Sequence, residues 1–215
     1  MAIPIYCMPG MAASSRIFEH LNVPKEYEMH FLEWVEPNPK ESLKQYAKRI
    51  AQQITLPSPI LIGVSLGGIL MQEIALLIPN YRNIILISSI KSEKELPHWM
   101  QWCKRLKLHH LLPLRRLASI QFWKNTKRYK KLYVKYIGLH TANYLAWSVQ
   151  ELLDWKAPNS LKKIIHIHGD RDPIFPIKNI KECIVLPKGT HIMIINRFRW
   201  LNEQLPKILM TNDLQ

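Results

Sequence analysis

The chain has 215 residues, is 47% apolar and carries a formal net charge of +14. That length suits one domain with a sizeable core and room for a small subdomain, and the apolar share excludes a disordered chain. No apolar run reaches the roughly 18 residues needed to cross a bilayer, so no membrane span is expected. The first residues lack the basic and long apolar regions of a signal peptide. Cys7, Cys103 and Cys183 are an odd, scattered set without metal-ligand spacing. Neither a metal site nor structural disulfides are therefore expected, and the cytoplasm is the natural compartment.

Residues 2–8 and 28–34 read as short strands. A helix follows over 41–54, with Leu43, Tyr46, Ala47, Ile50 and Ile54 on one face. The run 60–64 is a strand, 66–77 a helix, and 84–88 a continuous apolar strand of the kind buried on both faces of a parallel sheet. The same pattern recurs at 164–168 and 183–186, and 198–210 closes as a helix. This alternation predicts an α/β fold with a predominantly parallel sheet of about six strands flanked by helices. Right-handed crossovers then put the strand C-termini along one edge, where such sheets bind ligands.

Between residues 91 and 157 the alternation stops. The stretches 99–106, 114–123, 127–137 and 141–155 read as short amphipathic helices, so this region is expected to be a helical cap inserted after the strand ending near Ser88. Residues 1–90 and 158–215 would form the core. The charge follows the same division: 1–90 is neutral, 91–157 holds fourteen Lys/Arg against four Asp/Glu for a balance of +10, and 158–215 adds +4. Such a patch can steer an acidic carrier protein, an anionic thioester tail, anionic lipid or nucleic acid. Trp99, Trp102, Trp123, Tyr129, Tyr133, Tyr136, Tyr144 and Trp147 invite a stacked-base reading. The apolar underside of a cap accounts for them better, no recognised nucleic-acid motif is present, and nucleic-acid binding is not expected.

The segment Gly63-Val64-Ser65-Leu66-Gly67 joins a strand directly to a helix. In that context G-x-S-x-G is a nucleophile elbow, a strained turn that lifts the serine hydroxyl clear of the backbone. With 7 glycines in the chain, the motif arises by chance roughly once in a hundred such compositions. Gly10, Gly63, Gly67, Gly68, Gly169 and Gly189 all fall in predicted loops at one sheet edge; only Gly138 lies elsewhere. An elbow serine needs a base and a group that orients the base, in the chain order Ser, then acid, then His. His168-Gly169-Asp170-Arg171-Asp172-Pro173 follows one strand and Gly189-Thr190-His191 another. Either Asp170 or Asp172 could supply the acid. His166 and His168 read as buried or flanking, and His109 and His110 sit in the cap among leucines.

Together the Pro9-Gly10-Met11 loop, the elbow, H-G-D-R-D-P and G-T-H resemble the α/β-hydrolase family over nearly the whole chain outside the cap. The resemblance implies Asp172 as the acid, His191 as the base, and an oxyanion hole made by the backbone N–H groups of Leu66 and Met11. It also implies a serine hydrolase that needs no cofactor and cleaves a carboxylic ester or thioester through an acyl-enzyme. Substrate-binding residues stay unassigned. Other readings remain open: C–C hydrolysis or a lyase or synthase reaction on the same triad, or a ligand-binding homologue without turnover. Three departures from the family pattern stand out. The first strand ends in Met-Pro-Gly where His-Gly is common. Asp172 and His191 are only 19 residues apart, which leaves room for a very short helix between the last strands. The usual eight-stranded sheet is cut to six.

Overall fold

The computed structural model, which describes residues 2–106, 135–161 and 163–212, contains one six-stranded sheet. Its strands are β1 (Ile3–Met8), β2 (Tyr27–Phe31), β3 (Ile60–Val64), β4 (Ile84–Ile87), β5 (Ile164–Gly169) and β6 (Ile184–Leu186). They lie in the order β2-β1-β3-β4-β5-β6, every neighbouring pair parallel. The apolar runs of β3 and β4 are buried throughout because both faces of the sheet are covered. Successive side chains point to opposite faces. Tyr6, Met8, Leu61, Ile84 and Leu86 therefore enter one core, and Ile5, Cys7, Ile60, Ile62, Ile85 and Ile87 enter the other.

Helices α1 (Leu43–Ala51) and α2 (Leu66–Ala75) pack on the first face. A reciprocal capping box between Ser42 and Gln45 starts α1, which buries Leu43, Tyr46, Ala47 and Ile50 along one stripe. Every residue of α2 is buried, which is why its sequence is apolar nearly all round. Helices α3 (His98–Arg105) and α4 (Ala142–Asp154) lie between β4 and β5. Helices α5 (Met193–Asn196) and α6 (Phe198–Asn212) follow β6. The helix expected over 114–123 and most of that over 127–137 fall outside the described residues, and the described part of 91–157 contains no strand.

Two features differ from the sequence expectation for identifiable reasons. The second strand ends at Phe31, and the chain then turns so that buried Trp34 donates its indole N–H to the carbonyls of Pro9 (3.1 Å) and Gly10 (2.8 Å). The last strand is not buried on both faces: Ile184 and Val185 of β6 are 38% and 45% exposed, because β6 is the sheet edge. Between β5 and β6 the three-residue 3-10 turn Ile177–Asn179 is the very short helix that the spacing of Asp172 and His191 leaves room for.

Candidate active site

Ser65 sits at the C-terminal end of β3 with φ 51° and ψ −122°, in the left-handed region that L residues avoid. Strain of this kind costs on the order of 1–3 kcal/mol and persists only where the surroundings enforce it. Here the Ser65 N–H donates to the Ile87 carbonyl at 3.0 Å, and the Ser65 carbonyl accepts from the Gly68 N–H at 2.9 Å. The Ser89 hydroxyl donates a second hydrogen bond to that carbonyl at 2.7 Å. A Cβ on Gly67 would run into the carbonyls of Pro9 and Met8, and one on Gly63 would meet the Gly68 backbone. The turn is thus closed by backbone contacts that only glycine allows.

Three side chains from three strand ends meet at this edge. Ser65 Oγ lies 2.9 Å from His191 Nε2, and His191 Nδ1 lies 2.8 Å from Asp172 Oδ2. An ionised carboxylate only accepts, so Nδ1–H donates to Asp172 and Nε2 is left to accept the Ser65 proton. The other carboxylate oxygen accepts from the amides of Ile174 (2.8 Å) and Phe175 (3.0 Å). Burial pushes the Asp172 carboxyl up, but the His191 hydrogen bond and charge and these two amides outweigh it and hold it below its ordinary value. Asp170 is exposed, and it is Asp172 that bonds to His191. The acid and base loops are laced together: Arg171 N–H donates to the Gly189 carbonyl at 2.8 Å, and a Cβ on Gly169 would collide with the Gly189 backbone. The Phe175 ring meets the His191 ring edge-on at 5.4 Å.

Beneath Asp172 lies a buried histidine pair. His168 Nε2 donates to the Phe175 carbonyl at 2.8 Å, which leaves Nδ1 to accept from His166 Nε2 at 3.3 Å. Burial, reinforced by His168 and then Lys91, drives the His166 pKa down to about 3. Burial lowers His168 as well. The 3.5 Å approach of His168 to Asp172 is therefore a contact of a neutral ring and not an ion pair. Both residues are the buried flankers that the sequence suggests.

The loop after β1 forms the other side of the site. Among the described residues no hydrogen bond engages the N–H of Leu66 or of Met11. Ala12 next door has φ 58°. Its N–H donates to the Tyr144 hydroxyl at 3.3 Å and its carbonyl accepts from Gly138 N–H at 2.9 Å. Ser14 N–H donates to the Tyr136 carbonyl at 2.8 Å, and Ala13 forms a bridge with Ile137. A Cβ on Gly138 would sit 2.7 Å from the Ala13 carbonyl oxygen. The expectation that Gly138 lies away from the other glycines is thus corrected: it packs on this loop because the inserted segment returns to the sheet edge there. Trp34 and Tyr144, both buried against the loop, carry no sequence signal, since aromatic residues in apolar stretches read as ordinary core.

The aromatic residues between 91 and 157 divide. Tyr144 and Trp147 pack inward with Trp34 and Tyr46, at centroid distances of 4.6 to 6.4 Å. Trp99 and Trp102 instead point outward, 54% and 57% exposed. Two surface depressions lie apart from Ser65: one of about 390 Å³ against Leu96, Met100, Lys104 and Leu153, and one of about 380 Å³ against Ala75, Pro79, Tyr81 and Leu161. Among the described residues no three His, Cys, Asp or Glu side chains are arranged to hold a metal, and no helix is long and apolar enough to cross a membrane.

No family model and no curated protein matches the chain. Solved structures do. BpoC from Mycobacterium tuberculosis H37Rv, named as a non-heme bromoperoxidase, superposes with a TM-score of 0.71 at 13% identity, over 99% of this chain and 93% of that one. A thermophilic esterase from Thermogutta terrifontis gives 0.65 at 12% identity over 97% and 91%. ClbQ from the colibactin NRPS/PKS pathway gives 0.61 at 15% identity over 100% and 99%. At such identities the likeness is one of architecture, and it agrees with the six parallel strands and the flanking helices. The chain has the α/β-hydrolase fold.

Proposed function

We propose that this chain is a serine hydrolase that cleaves a carboxylic ester or thioester through an acyl-enzyme on Ser65. One observation carries the reading: the continuous hydrogen-bonded line from Ser65 Oγ through His191 to Asp172, 2.9 and 2.8 Å long. Ser65 Oγ attacks the acyl carbonyl carbon as its proton passes to His191 Nε2, and Asp172 stabilises the imidazolium and holds its tautomer. The amides of Leu66 and Met11 receive the oxyanion, with about 3 kcal/mol at stake per donor. Collapse of the tetrahedral species breaks the bond to the alcohol or thiol, which takes the proton from His191. Water then attacks the acyl-enzyme with His191 as base, which releases the acid and restores Ser65–OH.

The esterase among the fold neighbours supports ester chemistry. Residues 1–90 and 158–215 act as the core and 91–157 as the cap that shapes the acyl site. The +10 balance of the cap favours a substrate carried on an acidic protein or an anionic thioester tail. With such a substrate kcat/KM falls steeply as salt rises, and a flat profile removes the carrier from the proposal. The free thiols of Cys7, Cys103 and Cys183 fit a reducing, cytoplasmic setting.

The test is fluorophosphonate labelling read by intact mass, with Ser65→Ala and His191→Ala alongside, followed by p-nitrophenyl esters and acyl thioesters of graded chain length. Labelling and turnover by the wild type alone is the expected result. A folded wild type that takes no label overturns the reading in favour of a binding protein. Products of C–C cleavage or elimination would move it to the lyase side.

A further inference from the structure

The loop that would supply the Met11 amide has no secondary structure of its own, yet its backbone is fully specified. On one side Trp34 Nε1–H donates to the carbonyls of Pro9 and Gly10, at 3.1 and 2.8 Å. On the other, both polar groups of Ala12 are taken by the returning end of the inserted segment: its N–H by Tyr144 Oη at 3.3 Å, its carbonyl by Gly138 N–H at 2.9 Å. Tyr144 is 0% exposed, and its ring lies 5.6 Å from Trp34 and 6.2 Å from Trp147. The two clamps are therefore parts of one aromatic cluster. Burial raises the Tyr144 pKa, so the phenol stays neutral, and its oxygen accepts from the Ala12 N–H as a neutral hydroxyl.

The peptide that links Met11 to Ala12 carries the Ala12 N–H. Its orientation, with φ of 58° at Ala12, sets one side of Met11; the Met11 N–H lies on the other side, in the Gly10–Met11 peptide whose carbonyl Trp34 holds. Without the phenol oxygen a half-buried N–H loses its acceptor. The peptide then rotates towards another one, and the turn that holds the neighbouring Gly10–Met11 peptide, which bears the Met11 N–H, loosens. We infer that Tyr144 is a positioning residue for the oxyanion hole: through the Ala12 N–H it holds the Met11 amide in register with Ser65, and so couples the inserted segment to catalysis. This rests on the hydrolase reaction proposed above.

The test is Tyr144→Phe, which removes one oxygen and keeps the ring. The readouts are the rate of fluorophosphonate inactivation and the steady-state constants for a p-nitrophenyl ester that the wild type hydrolyses. The expected result is a loss of roughly five- to tenfold in inactivation rate and in kcat, the scale of one neutral hydrogen bond, with KM within about twofold because ground-state contacts are untouched. Tyr46→Phe is the control: it removes a hydroxyl bonded to Val35 in the same aromatic cluster but away from the loop, and it should leave both rates within about twofold. Gly138→Ala presses a methyl on the Ala13 carbonyl from the other side and should slow inactivation at least as much as Tyr144→Phe does. Wild-type rates in Tyr144→Phe, or an equal loss in Tyr46→Phe, would overturn the inference and leave the hydrolase reading intact. So would a loss beyond about a hundredfold, the scale of removing a direct oxyanion donor. A wild type that takes no label defeats the parent reaction and this inference with it.

Discussion

The two sides of the site are built differently. Ser65, Asp172 and His191 each follow the end of a strand in one parallel sheet, β3, β5 and β6. Each needs only its own short turn to point its side chain at the others. The Met11 loop also follows a strand, but its shape is imposed from a distance: Trp34 lies beyond β2, and Tyr136, Gly138 and Tyr144 lie more than 120 residues along the chain from the loop. A group placed by a strand end inherits the rigidity of the sheet. A group placed by a loop depends on whatever packs against it. In the proposed reaction the proton-handling half is therefore encoded locally, and the half that receives the oxyanion is encoded by tertiary contacts.

The comparison breaks most visibly at the proton-handling side. Ser65→Ala and His191→Ala should each abolish labelling and reduce kcat by a thousandfold or more, and Asp172→Asn should cost on the order of a thousand- to ten-thousandfold. Asp170→Asn, at an exposed position, should change kcat less than about twofold. If Asp170→Asn were the damaging variant and Asp172→Asn the silent one, the strand-end account of the acid would be lost. Steady-state kinetics on one ester decides it.

Stability tests the rigidity of the elbow. Gly67→Ala forces a methyl into the carbonyls of Met8 and Pro9. The expected cost is about 3 kcal/mol, or a Tm lowered by roughly 10 °C. Gly10→Ala meets Ser65 Cβ at a more relaxed 3.3 Å and should lower Tm by only about a third as much. Equal melting temperatures for the two variants would mean that the elbow relaxes freely, and the contrast with the loop would weaken.

The last contrast is a pH dependence. The folded pKa of His166 lies near 3, below the ordinary 6.5, so on acidification the unfolded chain takes up the proton first. Its contribution is fully present above about pH 6.5 and is lost as pH falls towards 3. His168 acts in the same direction. Asp172, also depressed, adds its loss only below its ordinary 3.8. Chemical denaturation between pH 7 and 4 should show stability falling with pH, and His166→Gln should flatten that slope. An unchanged slope would show that the pair beneath Asp172 already carries a proton when folded.

Much of this was readable along the chain, for reasons specific to each element. Runs such as Ile60–Val64 and Ile84–Ile87 are apolar on both alternations, which in a chain of this length means burial between two layers. The stripe of Leu43, Tyr46, Ala47 and Ile50 has the period of a helix with one buried face. Gly63 and Gly67 around Ser65 announce a turn too tight for side chains, and the order of serine, acid and histidine follows from strand succession. The exposure of Ile184 and Val185 was not legible, because edge and centre strands use the same residues and only pairing distinguishes them.

By itself, then, the sequence determined the parallel α/β architecture, the elbow and the chain order of the three side chains, because each depends on local periodicity or on a glycine that a turn requires. Spacing along the chain leaves Asp170 and Asp172 both open and only the family resemblance favours Asp172; it is the tertiary structure that bonds His191 to Asp172. It alone brought Gly138 against the loop after β1 and turned Trp34 and Tyr144 into its clamps. The physical reason is the same in each case: hydrogen bonds and close contacts between residues far apart in sequence are set by how elements pack, and no local pattern of residue types records them.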